Sequence, residues 1–313
     1  MGGNLKVLAA LAFMVTTALA NASTYYVSVA GLGGTPEYEA QFAKWNAQLG
    51  DLLKKNGPGV TVETVAGASA TRQNLERIFR RLADQIHSDD SFALLLIGHG
   101  TFDGTDYKFN IPGPDLTASD LAAMLNRIPA EEQLVVNMTS ASGASLAALA
   151  KKGRIVITAT KSGTEKNVTV FARYWIDALS DPGADTDKNG TVSALEAFRY
   201  AESKTAAYFQ QEKLLATEHA LLSDTGTAAG VRDPKPENGQ GLLAATFPLL
   251  RPPSELAQDT SPDKQRLLQK KQQLEARIDR LKYQKAAMPE EQYKQQLTAL
   301  LLDLARTQAE IDR

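Results

Sequence analysis

Hydrophobic positions in this chain change their period repeatedly, and the changes mark out its elements. Residues 25–30 (YYVSVA), 60–65 (VTVETV), 92–97 (FALLLI), 134–137 (LVVN) and 154–160 (RIVITAT) are short apolar runs rich in β-formers, and they predict strands. Between them apolar residues recur at threes and fours, as in Phe42, Trp45, Leu49 and Leu52, then Leu75, Ile78, Phe79, Leu82 and Ile86, then Leu121, Met124, Leu125 and Ile128. Those spacings predict helices, with Thr35, Thr71 and Thr117 as their starts and Pro36 at a first helical position. A short helix over 144–151, one over 168–179 with Phe171, Tyr174, Trp175 and Leu179, and one from Ala194 onward with Leu195, Phe198, Tyr208 and Phe209 complete the series. Strands alternating with helices imply a mostly parallel sheet covered on both faces. Right-handed crossovers then gather the strand ends along one edge.

The remaining stretches break the pattern. Residues 31–34 (GLGG) lack the further glycine of a dinucleotide fingerprint, since Pro36 stands there, and read as a turn with close packing. Residues 102–115 read as an aromatic-dotted polar loop with Asp103-Gly104 and Pro112-Gly113-Pro114 as turns. Composition shifts to Gly, Pro, Asp and Thr from 223 to 263, interrupted by an apolar island at 241–250 that is expected to pack back as an edge strand. Beyond it, Leu267, Leu274, Ile278 and Leu281 mark one helix and Tyr293, Leu297, Leu300, Leu304 and Ile311 another, with Met288-Pro289 as the break. The expected organisation is a segment 1–22, a globular domain over 23–250, a linker over 251–262 and a coiled-coil-like helical hairpin over 263–313.

Charge and rare residues narrow the function. A net charge of −2 gives no electrostatic case for nucleic acid or for an anionic membrane surface, and the Lys270, Lys271, Arg277 and Arg280 face of the hairpin reads as a solvated flank. Residues 1–22 carry Lys6, an apolar run over 7–19 and small-x-small sites ending at Ala20 and Ala22, the pattern of a cleaved secretory signal. The run is too short for a stable membrane span, so a periplasmic or secreted protein is expected. With no cysteine, thiolate catalysis and disulfides are excluded. His87, His99 and His219 are too scattered for a zinc site; His87, at a helix end beside Asp89 and Asp90, reads as structural.

Residues 185–196 (DTDKNGTVSALE) carry an EF-hand-type pattern. Oxygen ligands fall at loop positions one, three, five and nine (Asp185, Asp187, Asn189, Ser193), the Thr191 carbonyl at seven, Glu196 at twelve and Gly190 at the sharp turn. Predicted helices flank it. Calcium is the expected ion, and because the chain has no second such loop, a structural clamp is expected rather than a paired sensor.

Two strands end in chemistry. The run 92–97 leads into Gly98-His99-Gly100, and the run 134–137 leads into Met138-Thr139-Ser140-Ala141-Ser142-Gly143, which sets Ser140 where a nucleophile would sit. These residues resemble the caspase-like fold of legumain-type and caspase-type cysteine peptidases, in which one hydrophobic strand runs into His-Gly and the next into Ala-Cys-x-Ser-Gly. Ser140 takes the cysteine's place. The resemblance spans 25–250, includes 154–165 (RIVITATKSGTE), and extends to secreted bacterial members with a calcium loop and a helical tail. It implies a caspase-like three-layer α/β sandwich with a mostly parallel sheet, His99 as general base, Ser140 as nucleophile, the Gly100 and Ser140 N–H groups as oxyanion hole, and a peptide bond as substrate.

Two readings of Ser140 stand open. In one the exported protein is a Cys-to-Ser variant that binds peptides without cutting them; in the other a Ser140–His99 dyad makes it a serine-dependent hydrolase. A serine needs its base within about 2.6–3.2 Å, a demand a thiol relaxes. An α/β-hydrolase using Ser140, a later Asp and His219 has the right order, but Met138 stands where the nucleophile elbow needs glycine. Ser142 and Thr139 remain alternative nucleophiles, and Asp103, Asp106 and Glu165 are candidates for holding a basic side chain. A peptide or protein ligand and self-association through the hairpin are the expected partners.

Overall fold

Two-residue alternation with apolar groups on both faces governs the centre of the protein. In the computed structural model, which describes residues 22–57, 59–236, 239–250, 261–283, 285 and 288–312, the chain begins with β1 (Thr24–Ala30), α1 (Pro36–Lys54), β2 (Val60–Val65), α2 (Arg72–Gln85) and β3 (Ser91–Ile97). Along β3, Ala93, Leu95 and Ile97 join one apolar layer and Phe92, Leu94 and Leu96 the other. Neither face can be left to water, so helices cover both.

The residues after His99 are the first departure from the sequence pattern. The stretch expected as a loop folds into three short antiparallel strands, β4 (Gly100–Phe102), β5 (Tyr107–Phe109) and β6 (Leu116–Thr117). Tyr107 and Phe109 are buried, which is what the aromatic dotting of that stretch encoded. A Thr117–Asp120 capping box starts α3 (Ala118–Leu125). After it come β7 (Glu132–Asn137), α4 (Leu146–Leu149), β8 (Arg154–Thr158) and α5 (Phe171–Ala178), the last two shorter than the patterning suggests.

The order then runs β9 (Val192–Ser193), α6 (Ala194–Gln211), β10 (Leu221–Ser223), α7 (Leu242–Thr246) and β11 (Pro248–Leu250). The six-stranded sheet has the order β10-β8-β7-β3-β1-β2, with every pairing from β2 to β8 parallel and β10 antiparallel on β8. Side chains of α1, α5 and α6 share one apolar layer, and those of α2, α3 and α4 the other. The result is a mixed α/β sandwich of three layers.

The apolar island at 241–250 does pack back, but not as an edge strand of this sheet. It forms α7, whose first-turn amides at Gly241, Leu243 and Ala244 donate to the Asp224 carboxylate, and then β11, which pairs with β9. Further on, α8 (Pro262–Tyr283) and α9 (Glu290–Ile311) pack through Leu274, Ile278, Leu281 and Leu300, with Leu297 and Leu304 against them. Leu268, not Leu267, is the buried leucine of the first turns of α8. Among the described residues no helix is long and apolar enough to cross a membrane. The secretory-signal reading over 1–22 lies outside the described residues but for residue 22, as does the linker reading over 251–262 but for 261 and 262, where Pro262 already opens α8.

At the opposite end of the sheet from the strand-end loops, Arg154 is buried, and among the described residues its hydrogen bonds reach no carboxylate. It donates from Nε to Gln133 Oε1 at 2.9 Å and from its two terminal nitrogens to the Leu149 carbonyl and Asn126 Oδ1, both at 2.9 Å. Desolvation pushes its guanidinium down to about 10. One side chain thereby ties β8 to β7, to the end of α4 and to the turn after α3. Arg154→Ala orphans all three acceptors, and a urea melt is expected to show a loss of about 3 kcal/mol.

Candidate functional site

Because β3 and β7 are neighbours, their carboxyl ends deliver His99 and Ser140 to the same edge. Beyond β3, Gly98 has φ +147° and lies against the Gly31 backbone, where a Cβ would come within 3.3 Å. That close approach brings the β1–α1 turn beside His99. The His99 ring sits edge-on to Tyr38 and Phe42, with centroids 5.5 and 5.3 Å away. Its Nε2 is 3.0 Å from the Gly33 carbonyl. A carbonyl only accepts, so Nε2 carries the hydrogen and the neutral ring keeps its lone pair on Nδ1.

Ser140 is 1% exposed, and its Oγ accepts the Gly100 N–H at 3.3 Å. Among the described residues no hydrogen bond joins the His99 ring to Ser140. The amide read as one oxyanion donor is thus spent on the hydroxyl itself. Gly100 must be glycine, since a Cβ would stand 2.4 Å from the Ser140 carbonyl and 2.6 Å from the Tyr107 ring. After Ser140, Ala141 adopts left-handed backbone (φ 56°) and donates its N–H to the Glu165 carbonyl at 2.8 Å. A buried alanine there costs about 1–2 kcal/mol, held in place by that bond and the surrounding packing.

The other hydroxyls are committed to structure. Thr139 Oγ1 is 2.7 Å from the Tyr107 hydroxyl and donates to Asn137 Oδ1 at 2.8 Å. Ser142 Oγ accepts the Thr160 N–H at 3.1 Å, while Thr160 Oγ1 accepts the Gly143 N–H at 2.9 Å. Thr139 and Ser142 are buried like Ser140, but their hydroxyls are each taken up in these structural hydrogen bonds.

The acidic candidates separate. Asp103 closes the β4–β5 turn: the Asp106 amide, Lys108 and the Thr105 amide hold its carboxyl well below the usual range, and Asp106 is exposed on the same turn. Glu165 stands on the loop between β8 and α5. It pairs with His219 Nδ1, and its other oxygen accepts the Lys161 N–H at 2.9 Å. Beside His219, Glu218 accepts the Val170 and Phe171 N–H groups at 2.7 and 3.1 Å, capping α5. Desolvation pushes its carboxyl up to about 7. Sequence reading missed this cluster because its members lie 54 residues apart and no motif joins them.

The acidic loop presents Asp185, Asp187 and Glu196 with carboxylate oxygens within 4.8 Å of one another, a group able to hold a metal ion. An all-oxygen donor set suits a hard cation. Gly190 supplies left-handed backbone (φ +81°) at the turn. Asp185 oxygens accept the Asn189 and Gly190 N–H groups, and Asn189 Oδ1 accepts the Thr191 N–H at 2.7 Å. The Ser193 hydroxyl caps α6 by accepting the Glu196 N–H at 3.2 Å and donates to Glu196 Oε2, so it faces the helix start. The incoming helix departs from the expected arrangement: α5 ends at Ala178, and a 3-10 turn, Pro182–Ala184, precedes Asp185. β9 within the loop pairs with β11, so the loop's strand finds its partner in the chain's own later segment.

No family model and no curated protein matches the chain. Among solved structures it is similar to caspase-1 from Spodoptera frugiperda, at 11% identity and a TM-score of 0.45 over 66% of this chain and 87% of that one. It is also similar to the Drosophila initiator caspase Dronc, at 11% identity and a TM-score of 0.43 over 72% of this chain and 91% of that one. Likeness at that level carries no conclusion about activity.

Glu218 generates a pH dependence. Its carboxyl titrates near 7 when folded against 4.5 for the free side chain, so between those values the folded state holds a proton that the unfolded state has released. Its contribution is therefore fully present below about 4.5 and is lost as pH rises through about 7. The melting temperature of Glu218→Gln is expected to rise relative to wild type across that interval, and parallel curves would remove the effect.

Proposed function

We propose that this chain is an exported, caspase-like peptidase-fold protein, periplasmic or secreted, that binds an extended peptide or protein segment at the carboxyl edge of its sheet. It is a Cys-to-Ser variant whose Ser140–His99 pair is silent, and calcium at the 185–196 loop stabilises it. The observation that carries this reading is the Ser140 hydroxyl resting on the Gly100 amide with the His99 ring turned to the Gly33 carbonyl. A serine proton needs a base in direct reach, and in this arrangement His99 does not receive it. Strand-end loops in parallel sheets are where ligands settle, and the β4–β6 hairpins with the 159–170 loop flank Ser140 there. The α8–α9 hairpin, with Leu301 and Leu302 exposed, is the surface for self-association or a protein partner.

For the metal, the donors would be Asp185, Asp187, Asn189, Ser193 and Glu196 with the Thr191 carbonyl, and the ion would screen the mutual repulsion of the three carboxylates. Reorientation of the Ser193 hydroxyl or an intervening water would complete position nine. The serine-dependent alternative using His99 has the edge location in its favour but lacks the hydrogen bond it requires.

Two measurements test these parts separately. At about 1 mM calcium and a Kd of about 0.1 mM, binding adds roughly 1.4 kcal/mol, so the melt is expected to rise over a chelator control and to lose that rise in Glu196→Gln. A calcium-indifferent melt ends the calcium part. For the edge, fluorescent peptides from a random library are expected to bind the mature protein by anisotropy. Ser140→Cys, which supplies a thiol that tolerates a loosely placed histidine, should gain cleavage of those peptides at least about 10-fold over wild type. A folded Ser140→Cys that binds peptide with no gain overturns the peptidase ancestry of the site, and a folded wild type that binds no peptide sinks the ligand reading.

A further inference from the structure

Asp90, the residue ahead of β3, is a buried carboxylate whose two oxygens have different partners. Its Oδ2 accepts the His87 N–H at 2.8 Å while the Asp90 N–H donates to the His87 carbonyl at 3.2 Å, which closes the turn between α2 and β3. Its Oδ1 accepts the main-chain N–H of Ser23 at 2.6 Å. The side chain is 7% exposed, and among the described residues no lysine or arginine pairs with it; the one base in ion-pair range is the His87 imidazole, 3.5 Å from Oδ2 and itself 77% exposed. A carboxylate taken out of water without a countercharge is costly, so the seat beside Oδ1 favours a cation.

The atom in that seat is the Ser23 nitrogen, and the sheet holds it there. The Ser23 carbonyl accepts the Ser91 N–H at 2.9 Å, and the Thr24 N–H donates to the Gly59 carbonyl at 2.9 Å. From Thr24 onward β1 is in register between β2 and β3. Ala22, one residue earlier, is exposed. Along the sequence Ala22 closes the small-x-small site Ala20-Asn21-Ala22, and Ala20 closes the overlapping site Ala18-Leu19-Ala20. That pattern does not choose between the two. The contact with Asp90 does: a cut after Ala22 sets a free amino group on the carboxylate, whereas a cut after Ala20 leaves a neutral amide there.

We propose that the export signal is removed between Ala22 and Ser23 and that Asp90 captures the new N-terminal ammonium group as a buried ion pair. The proposal rests on the export reading and adds to it the bond that is processed and the receptor for the new chain end. Water hydrolyses the Ala22–Ser23 amide in the host's processing peptidase: the C–N bond breaks, the hydroxyl joins the Ala22 carbonyl carbon, and the released amine takes up a proton. Cutting precedes packing, because once β1 is in the sheet the Ser23 nitrogen is already against Asp90. An amide gives Asp90 a hydrogen bond alone, while the ammonium gives the bond and the countercharge, and charge-assisted bonds are about twice as strong. The mature chain is therefore held more firmly than its precursor. The pair lies at the amino end of β1, across the sheet from Ser140, so it acts on stability and leaves the strand-end site alone.

Mature protein released from an N-terminal fusion tests the capture with the chain end defined. A chain starting at free Ser23 is expected to melt about 2–4 °C above the same chain with Ser23 acetylated, which restores the amide, and above a chain starting at Ala22. In Asp90→Asn that difference should vanish. Acylation of the chain end by acetic anhydride at neutral pH needs no variant, and at Ser23 it should be at least about 10-fold slower than at the Ala22 start, because the paired ammonium holds its proton. Equal melts for free and acetylated Ser23, equal acylation rates at the two starts, or a difference that persists in folded Asp90→Asn each overturns the capture. For the bond, the full precursor is expressed in a secreting bacterial host and the product weighed by mass spectrometry, with Ser23 expected as the first residue. A product starting at Asn21 overturns the assigned bond and leaves export standing. An uncut precursor ends the export reading and the processing step together, and a product starting at Ser23 whose free and acetylated forms melt alike removes the capture alone.

Discussion

The constraint on which this structure depends is that β1, β3, β7 and β8 are apolar on both faces. A sheet of that kind has to be covered twice, so between successive parallel strands the chain crosses over through a helix on one face or the other. Parallel strands then all end on the same side. That is how His99 and Ser140, 41 positions apart, come to neighbouring strand ends, with the β8–α5 loop beside them. The chemistry at the edge is a consequence of hydrophobic burial in the layers beneath it.

At the edge, close backbone approach takes over from apolar packing. Gly31, Gly98, Gly100 and Gly143 each sit where a Cβ would press on a neighbouring main chain. Those contacts let hydroxyl and amide groups of β4, β7 and the 159–170 loop pair with one another out of water. Thr139, Ser142 and Thr160 satisfy buried backbone and side-chain groups, and an unpaired partner at any of them would be costly. Ser140 belongs to the same system, and its bond to the Gly100 amide is the contact a reaction would have to exchange for another. Glu165 links this network to β10 through His219, while Glu218 fastens α5.

The second organising contact is the pairing of β9 with β11. The acidic loop by itself is a short excursion between α5 and α6. Pairing makes it continuous with the segment ahead of α8, and Tyr26 and Asn56 donate to carbonyls of that same segment. Any change in the loop is felt by a strand 50 or more positions later. The donors read from the loop's spacing do not all face one point: Asp185, Asp187 and Glu196 converge, while Ser193 caps the helix.

What the sequence determined by itself was whatever rests on local period and local capping: the central parallel strands, the helices between them, the caps at Thr35, Thr71 and Thr117, and the spacing of the acidic loop. Those features are legible because a helix or a buried strand imposes its own repeat on neighbouring residues. Tertiary structure alone decided the rest. β4 to β6 looked like a loop because their strands are too short for alternation to register, and β10, three residues long, exists only because β8 offers it an edge. The direction of the His99 ring, the seat of Ser140 Oγ on Gly100 and the Glu165–His219 pair all depend on contacts between distant segments. Spacing along the chain carries no record of such contacts, since a hydrogen bond is set by where two side chains point after the layers have packed.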